Sequence, residues 1–215
     1  MTIYSIPEKP AALIFDIDGT LYTNEAYMHE QTDCQIRRFA ETRNLDIEKA
    51  RDMVFSYREE WAKLHDGKRR SLGNVFKDLG VSINESIAWR KELIEPGRYL
   101  KTDAKLCETL KLLSASFKLI CLTNNPAVTG RKTLEALGAD PFIGEVVGLD
   151  TAGMSKPDVK LFELAAKRAD APVERCISIG DRYDIDLAVP LEMGMGAVLV
   201  DGVEDVYTLP NILLG

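Results

Sequence analysis

Apolar residues along this chain fall into two patterns. Short, mostly apolar runs rich in Val, Ile, Leu and Phe occur at residues 11–16, 117–122, 144–149, 175–180 and 196–200. A short apolar run of that kind predicts a strand buried on both faces, as found inside a parallel sheet. Between the later runs the apolar residues recur at helical spacing. Asp103 can cap a helix carrying Leu106, Leu110 and Leu113 on one face; Pro126 opens another that Gly138 closes; Pro157 opens a third with Leu161, Leu164 and Ala165 turned inward. From residue 95 onward strand and helix therefore alternate, which predicts βα units and a parallel sheet.

Residues 22–95 break that alternation, because they contain several helical signals in a row and no convincing strand. Asp46 can cap a long helix running through Trp61, Gly80 ends another, and Ser82 with Glu85 forms a capping box ahead of Ile87 and Leu93. The Pro-Gly pair in "EPGRYL" (95–100) marks a return hinge. The expected fold class is α/β: a Rossmann-like doubly wound parallel sheet core made of residues 1–21 and 96–215, with an all-helical cap domain inserted at 22–95.

Composition narrows the function without naming it. The 215 residues are 46% hydrophobic and 28% charged, as in an ordinary globular protein. The net charge of -7, from 27 basic and 34 acidic residues, argues against a general binder of nucleic acid or membrane surfaces. The opening "MTIYSIPEKP" has no basic start followed by an apolar run, and no apolar segment approaches the roughly 20 residues that span a bilayer, so a cytoplasmic location is expected. Cys34, Cys107, Cys121 and Cys176 form no CxxC pair, and neither a disulfide framework nor a zinc site is indicated.

Polar residues cluster where the predicted strands end. The first run finishes in "DIDGT", and on an extended backbone Asp16 and Asp18 point to the same side. Two like charges there persist only with a cation between them, with one protonated, or with water around both. In an open parallel sheet ligands bind beyond the carboxyl ends of the strands. Those ends bring Thr123, Asn124 and Asn125 ahead of the Pro126 helix, whose first N–H groups could bind an anion; Lys156 in "SKPD"; and Asp181, Asp184 and Asp186 in "GDRYDID". Each piece alone is an ordinary turn, surface lysine or acidic loop. Together they describe a divalent cation site beside a phosphate cradle. Other motifs fail on context: "DIDG" lacks the later ligands of a calcium loop, "GMG" at 194–196 precedes a strand instead of following one, and no GxxxxGK[ST] is present.

With "DIDGT", "LTNN", the lysine of "SKPD" and "GDRYDID" in this order over nearly the whole chain, the sequence resembles haloacid dehalogenase superfamily phosphotransferases with an inserted helical cap, in the phosphoglycolate phosphatase and β-phosphoglucomutase-like subgroup. The resemblance implies a nucleophile at Asp16 and an acid/base at Asp18. It also implies phosphate contacts from Thr123, Asn124 and Lys156, and Mg²⁺ held by Asp16, the Asp18 carbonyl and Asp181, with Asp186 in support. The expected function is a Mg²⁺-dependent phosphatase that hydrolyses a small soluble phosphomonoester, a phosphorylated metabolite, through an aspartyl-phosphate. A sugar-phosphate mutase and a phosphate-binding regulatory module without turnover remain alternatives, and Asp18 argues against a dehalogenase. Pro190 departs from the usual pattern and predicts a short or kinked helix after "GDRYDID".

Substrate specificity is expected to lie in residues 22–95. His29, early in the first helix there, is the better functional candidate of the two histidines. In "HDGKRRSLG" (65–73), Lys68, Arg69 and Arg70 concentrate positive charge in an acidic chain. Arg69 or Arg70 could clamp a second anionic group of the substrate through its planar fork, the competing reading being a solvated loop.

Overall fold

The computed structural model describes residues 1–67 and 70–215. The strands β1 (Thr2–Ser5), β2 (Ala12–Phe15), β3 (Lys118–Leu122), β4 (Glu145–Val147), β5 (Cys176–Gly180) and β6 (Gly196–Leu199) form one sheet in the order β1-β6-β5-β2-β3-β4. All pairings are parallel except β1 with β6. The five expected strands are present. β1 is an addition: "TIYS" contains no apolar run and all four side chains are exposed, so it is held by backbone pairing to the sheet edge and left no trace in the hydrophobic pattern.

β2 lies between β3 and β5 with every residue buried, as its unbroken apolar run requires. Ala12, Ile14, Ile120 and Leu122 pack with Leu161, Phe162, Ala165 and Ala166. Alternation along the strands sends Leu13, Phe15, Leu119 and Cys121, also buried, to the other face. From β2 the chain proceeds to β3 and β4 on one side, then returns to β5 on the other. That reversal makes the β2/β5 junction the switch point, where a crevice opens beyond the strand ends.

The chain folds as two compact units, Met1–Glu25 with Glu95–Gly215, and Ala26–Ile94. The second contains α1 (Glu25–Arg43, which begins one residue earlier), α2 (Ile47–Leu64), α3 (Leu72–Asp78) and α4 (Ile83–Leu93). Asp46 accepts from the N–H groups of Glu48 and Lys49, and Ser82 and Glu85 make the reciprocal capping box. Ile36, Phe39, Val54, Val75, Phe76 and Trp89 form this unit's own core, and Arg51 ties α2 to α1 through Asp33 at 2.7 Å.

In the first unit, α5 (Ala104–Ser114) is capped by Asp103 and buries Leu106, Leu110 and Leu113. α6 (Ala127–Leu137) ends at Gly138, whose φ of +73° fits a left-handed C-cap. The short α7 (Leu149–Ala152) precedes α8 (Val159–Arg168), which starts after an Asp158 cap, two residues later than Pro157 suggested. A π-helical turn at Tyr183–Leu187 leads into α9 (Ala188–Glu192), and α10 (Val203–Val206) and α11 (Leu209–Leu213) close the chain.

Candidate active site

Strand register brings the site together. Phe15 is opposite Cys121 of β3 and Ile179 of β5, so the next residues of all three strands emerge side by side at one edge. Asp16 continues the ladder by donating its N–H to the Ile179 carbonyl at 2.8 Å, and Thr123 does the same to Val147 at 3.0 Å. Asp16, Thr123 and Asp181 thus stand at adjacent strand ends, and Asp16, Asp181 and Asp186 present carboxylate oxygens within 4.8 Å of one another.

Two glycines make that convergence possible. Gly19 has φ +82°, and a Cβ there would lie 2.7 Å from Asp181 Oδ2. At Gly180 a Cβ would lie 2.4 Å from Cβ of Asp186. The glycine of "DIDGT" and that of "GDRYDID" therefore leave room for two carboxylates of "GDRYDID", Asp181 and Asp186.

Lys156 is buried, and its ammonium sits 2.8 Å from Asp16 Oδ1 and 2.6 Å from Asp186 Oδ1. Desolvation opposes its charge, but Asp16 and Asp186 outweigh it and raise the pKa, so the lysine stays protonated. Its backbone is held by Asn124, whose Oδ1 accepts the Lys156 N–H at 2.7 Å and whose Nδ2 donates to the Lys156 carbonyl at 3.4 Å. Thr123 Oγ1, buried, accepts the Asn125 N–H at 3.1 Å.

Asp186 is secured on three sides. Oδ1 takes Lys156, Oδ2 accepts the Arg182 N–H at 3.1 Å, and its carbonyl accepts Ser178 Oγ at 2.7 Å. The last bond has a sequence cause: Pro190 has no N–H to return to residue 186, and the chain forms a π turn and a five-residue α9 where an ordinary helix would continue. The short helix expected from Pro190 is what the structure shows.

Asp16 Oδ2 and Asp181 Oδ1, by contrast, are buried without any hydrogen-bond partner. Burial, then Asp16, push the Asp181 carboxyl up to about 6, with Arg182 pulling the other way. Arg182 Nε is 3.8 Å from Asp181 Oδ1, too far for a hydrogen bond, and its side chain is half exposed. Three clustered carboxylates against one buried ammonium leave two negative charges to be met. A hard divalent cation with oxygen ligands fits both the charge and the unpartnered oxygens.

Asp18 is outside the three-carboxylate group. Its Oδ1 accepts the Tyr22 hydroxyl at 2.5 Å and its Oδ2 accepts Asn125 Nδ2 at 2.9 Å. Asp184 is exposed. The expected anion site at the start of α6 is altered, because the Ala127 N–H donates to Asp150 Oδ1 at 2.8 Å; Pro126 cannot cap with its own side chain, and a carboxylate from α7 substitutes. Of the specificity candidates, His29 is exposed on α1 and Arg69 lies outside the described residues. Arg70 is bidentate to Asp78 at 2.9 and 3.0 Å and lies over the Trp61 ring. Tyr22, Asp150 and Ser178 are absent from the motif reading; only Tyr22 had a local signal, a turn at Gly19 that returns the chain to Asp18.

Several known proteins are similar to this chain. A glyceraldehyde 3-phosphate phosphatase from Methanopyrus kandleri is 27% identical, the alignment covering 88% of this chain and 83% of that protein. The 5-amino-6-(5-phospho-D-ribitylamino)uracil phosphatase YigB of Escherichia coli is 26% identical over 92% of this chain and 86% of its own length. Among solved structures, a HAD phosphatase from Thermococcus onnurineus superposes with a TM-score of 0.67 at 22% identity, covering 94% of this chain and 97% of the other, a likeness of fold. The model of haloacid dehalogenase-like hydrolases matches residues 10–194, a span that takes in every residue from Asp16 to Asp186 described above, and the chain belongs to that family.

Proposed function

We propose that this protein is a Mg²⁺-dependent phosphatase acting on a small phosphomonoester, with Asp16 as nucleophile and Asp18 as acid and base. The observation that carries the reading is the buried, unpartnered oxygen of Asp16 beside protonated Lys156. The similar proteins named as phosphatases of glyceraldehyde 3-phosphate and of a phosphoribityl compound support a small phosphorylated substrate. Asp16 and Asp181 would hold the cation directly, with the Asp18 carbonyl, and Asp186 would act in support because Lys156 and Arg182 already occupy its oxygens. When bound, the cation supplies charge neutralisation and orientation of the phosphoryl oxygens.

The residues then divide two displacements. A carboxylate repels a phosphate dianion, and Lys156 offsets that repulsion at the Asp16 oxygen. An Asp16 oxygen bonds to phosphorus while the ester P–O bond breaks, and the departing oxygen keeps the electron pair and takes a proton from Asp18. Water next bonds to phosphorus, its proton returns to Asp18, and the bond to Asp16 breaks. Asn124 acts by fixing the backbone that carries Lys156, and Thr123 by its place at the β3 end. The helical unit is the seat of substrate selection in this reading, with His29, Arg69 and Arg70 as its candidates. For Arg70 that role requires release from Asp78.

A phosphate-release screen over sugar phosphates, nucleotides and p-nitrophenyl phosphate, with acid-quench trapping of the phosphoenzyme, tests the proposal. Turnover should stop with chelator, and Asp16→Asn should abolish it while the protein stays folded. Full activity in EDTA, or a phosphoenzyme formed by Asp16→Asn, overturns it.

A further inference from the structure

We infer that Arg182 binds substrate, its guanidinium donating to an oxygen of the phosphoryl group being transferred. This rests on the reading of the site as that of a phosphatase, and adds to it a residue that the motif pattern leaves unassigned.

The backbone of Arg182 is fixed by three hydrogen bonds in the turn after β5. Its N–H donates to Asp186 Oδ2 at 3.1 Å, and its carbonyl accepts the N–H groups of Ile185 at 3.2 Å and Asp186 at 2.8 Å. The side chain has no such anchor. Among the described residues its guanidinium makes no hydrogen bond, the nearest acidic group being Asp181 Oδ1 at 3.8 Å from Nε, and half of the side chain is exposed.

That spacing separates two roles. Asp181 Oδ1 is buried without a hydrogen bond, although a guanidinium on the next residue lies close by. A plain counter-ion would close the gap to a charge-assisted hydrogen bond. Here both groups stay available, Asp181 for a cation and Arg182 for an anion.

Charge says which anion. Asp16, Asp181 and Asp186 bring three negative charges, Lys156 one positive and a divalent cation two, so the loaded cluster is neutral. A phosphate monoester then adds up to two negative charges that nothing in the cluster meets. The cations acting on Asp181 and Asp186 are Lys156 and Arg182, and Lys156 is already paired with Asp16 and Asp186. Partial burial opposes the charge of Arg182, but Asp16, Asp186, Asp181 and Asp18 outweigh it, so the guanidinium stays in the field of the site. Its planar fork suits phosphoryl oxygens, over which charge is spread during transfer.

The test measures binding of inorganic phosphate by calorimetry at saturating Mg²⁺, and of Mg²⁺ without phosphate, in the wild type, Arg182→Gln and Arg182→Lys. Arg182→Gln should weaken phosphate roughly tenfold, the size of a lost hydrogen bond between charged groups at a half-exposed position. Arg182→Lys should recover part of that through charge alone. Mg²⁺ should bind Arg182→Gln at least as tightly as the wild type, because a nearby positive charge is gone. A merely structural role would not give opposite signs, since displaced carboxylates would lose both ligands. The kcat/KM values for p-nitrophenyl phosphate and glycerol phosphate should fall by the same factor, as both carry the same phosphoryl group. Unchanged phosphate affinity in Arg182→Gln, joint weakening of phosphate and Mg²⁺, or a loss confined to one ester overturns the assignment. A wild type that neither binds phosphate nor releases it from either ester fails the phosphatase reading itself, and this inference with it.

Discussion

The Asp186 carbonyl offers a sharp test, because two distant residues decide whether it is satisfied. In an unbroken α-helix that carbonyl would accept from the N–H of residue 190. Residue 190 is proline, and buried Ser178 supplies the missing hydrogen bond from β5 at 2.7 Å. Ser178→Ala removes the donor and leaves the carbonyl buried. A net hydrogen bond contributes about 1 kcal/mol and an unsatisfied buried acceptor costs about 1–3 kcal/mol, so the variant should lose roughly 1–3 kcal/mol of stability. In a Pro190→Ala background the backbone N–H is restored and the helix can close on Asp186, so the same Ser178→Ala change should cost about 1 kcal/mol less. Urea unfolding of the four proteins measures the coupling directly. If Asp186 supports a bound cation from this anchored backbone, as proposed, the same samples should show a weaker Mg²⁺ requirement for the wild type than for Ser178→Ala. An identical Ser178→Ala cost in both backgrounds would refute the argument that the serine compensates for the proline.

How far the site could be read in advance depends on the range of the contact concerned. β2 and "DIDGT" were legible because an apolar run, two carboxylates at i and i+2, and a glycine are all local signals. The four strand ends follow once parallel pairing is inferred, since the register puts Thr123 and Asp181 one residue beyond the level of Asp16 on the neighbouring strands. Partner choice beyond the strand ends was not legible. "SKPD" pointed to Lys156, but nothing local says that one ammonium bridges Asp16 and Asp186. Asn124 is expected on phosphate, and no local signal says that its amide also holds the Lys156 backbone, a contact between loops 32 residues apart. β1 illustrates the other limit: an edge strand that buries no side chain is held by backbone hydrogen bonds, which carry no residue code.

Three further outcomes follow from individual contacts. Asp150→Ala should cost about 1 kcal/mol in urea unfolding, as loss of a helix N-cap does, because Pro126 cannot replace it; an unchanged midpoint would mean that the Ala127 N–H finds water at no cost. Arg70→Ala should destabilise by about 1 kcal/mol through the lost Asp78 pair and Trp61 contact, and should leave KM for p-nitrophenyl phosphate unchanged; a KM rise confined to substrates with a second anionic group would assign Arg70 to substrate as well. Asp181, whose pKa is raised from 3.8 to about 6 by burial and by Asp16, makes its own contribution to the pH dependence of stability. The folded protein therefore holds that proton more tightly than the unfolded chain does. The stabilisation is fully present below about 4 and is lost as pH rises through about 6, a change of at most roughly 3 kcal/mol, less the screening allowed by a side chain that is 22% exposed. In the proposed reading a divalent cation would bind the ionised form and reverse the sign. Thermal melts should show that added Mg²⁺ stabilises strongly at pH 8 and little at pH 5, its apparent affinity falling about tenfold for each unit below the Asp181 pKa. Calcium, with the same charge and oxygen preference, should follow the same pH course even where it supports no turnover, which separates cation binding from catalysis. Stabilisation independent of pH between 5 and 8 would remove Asp181 from the set of titrating ligands.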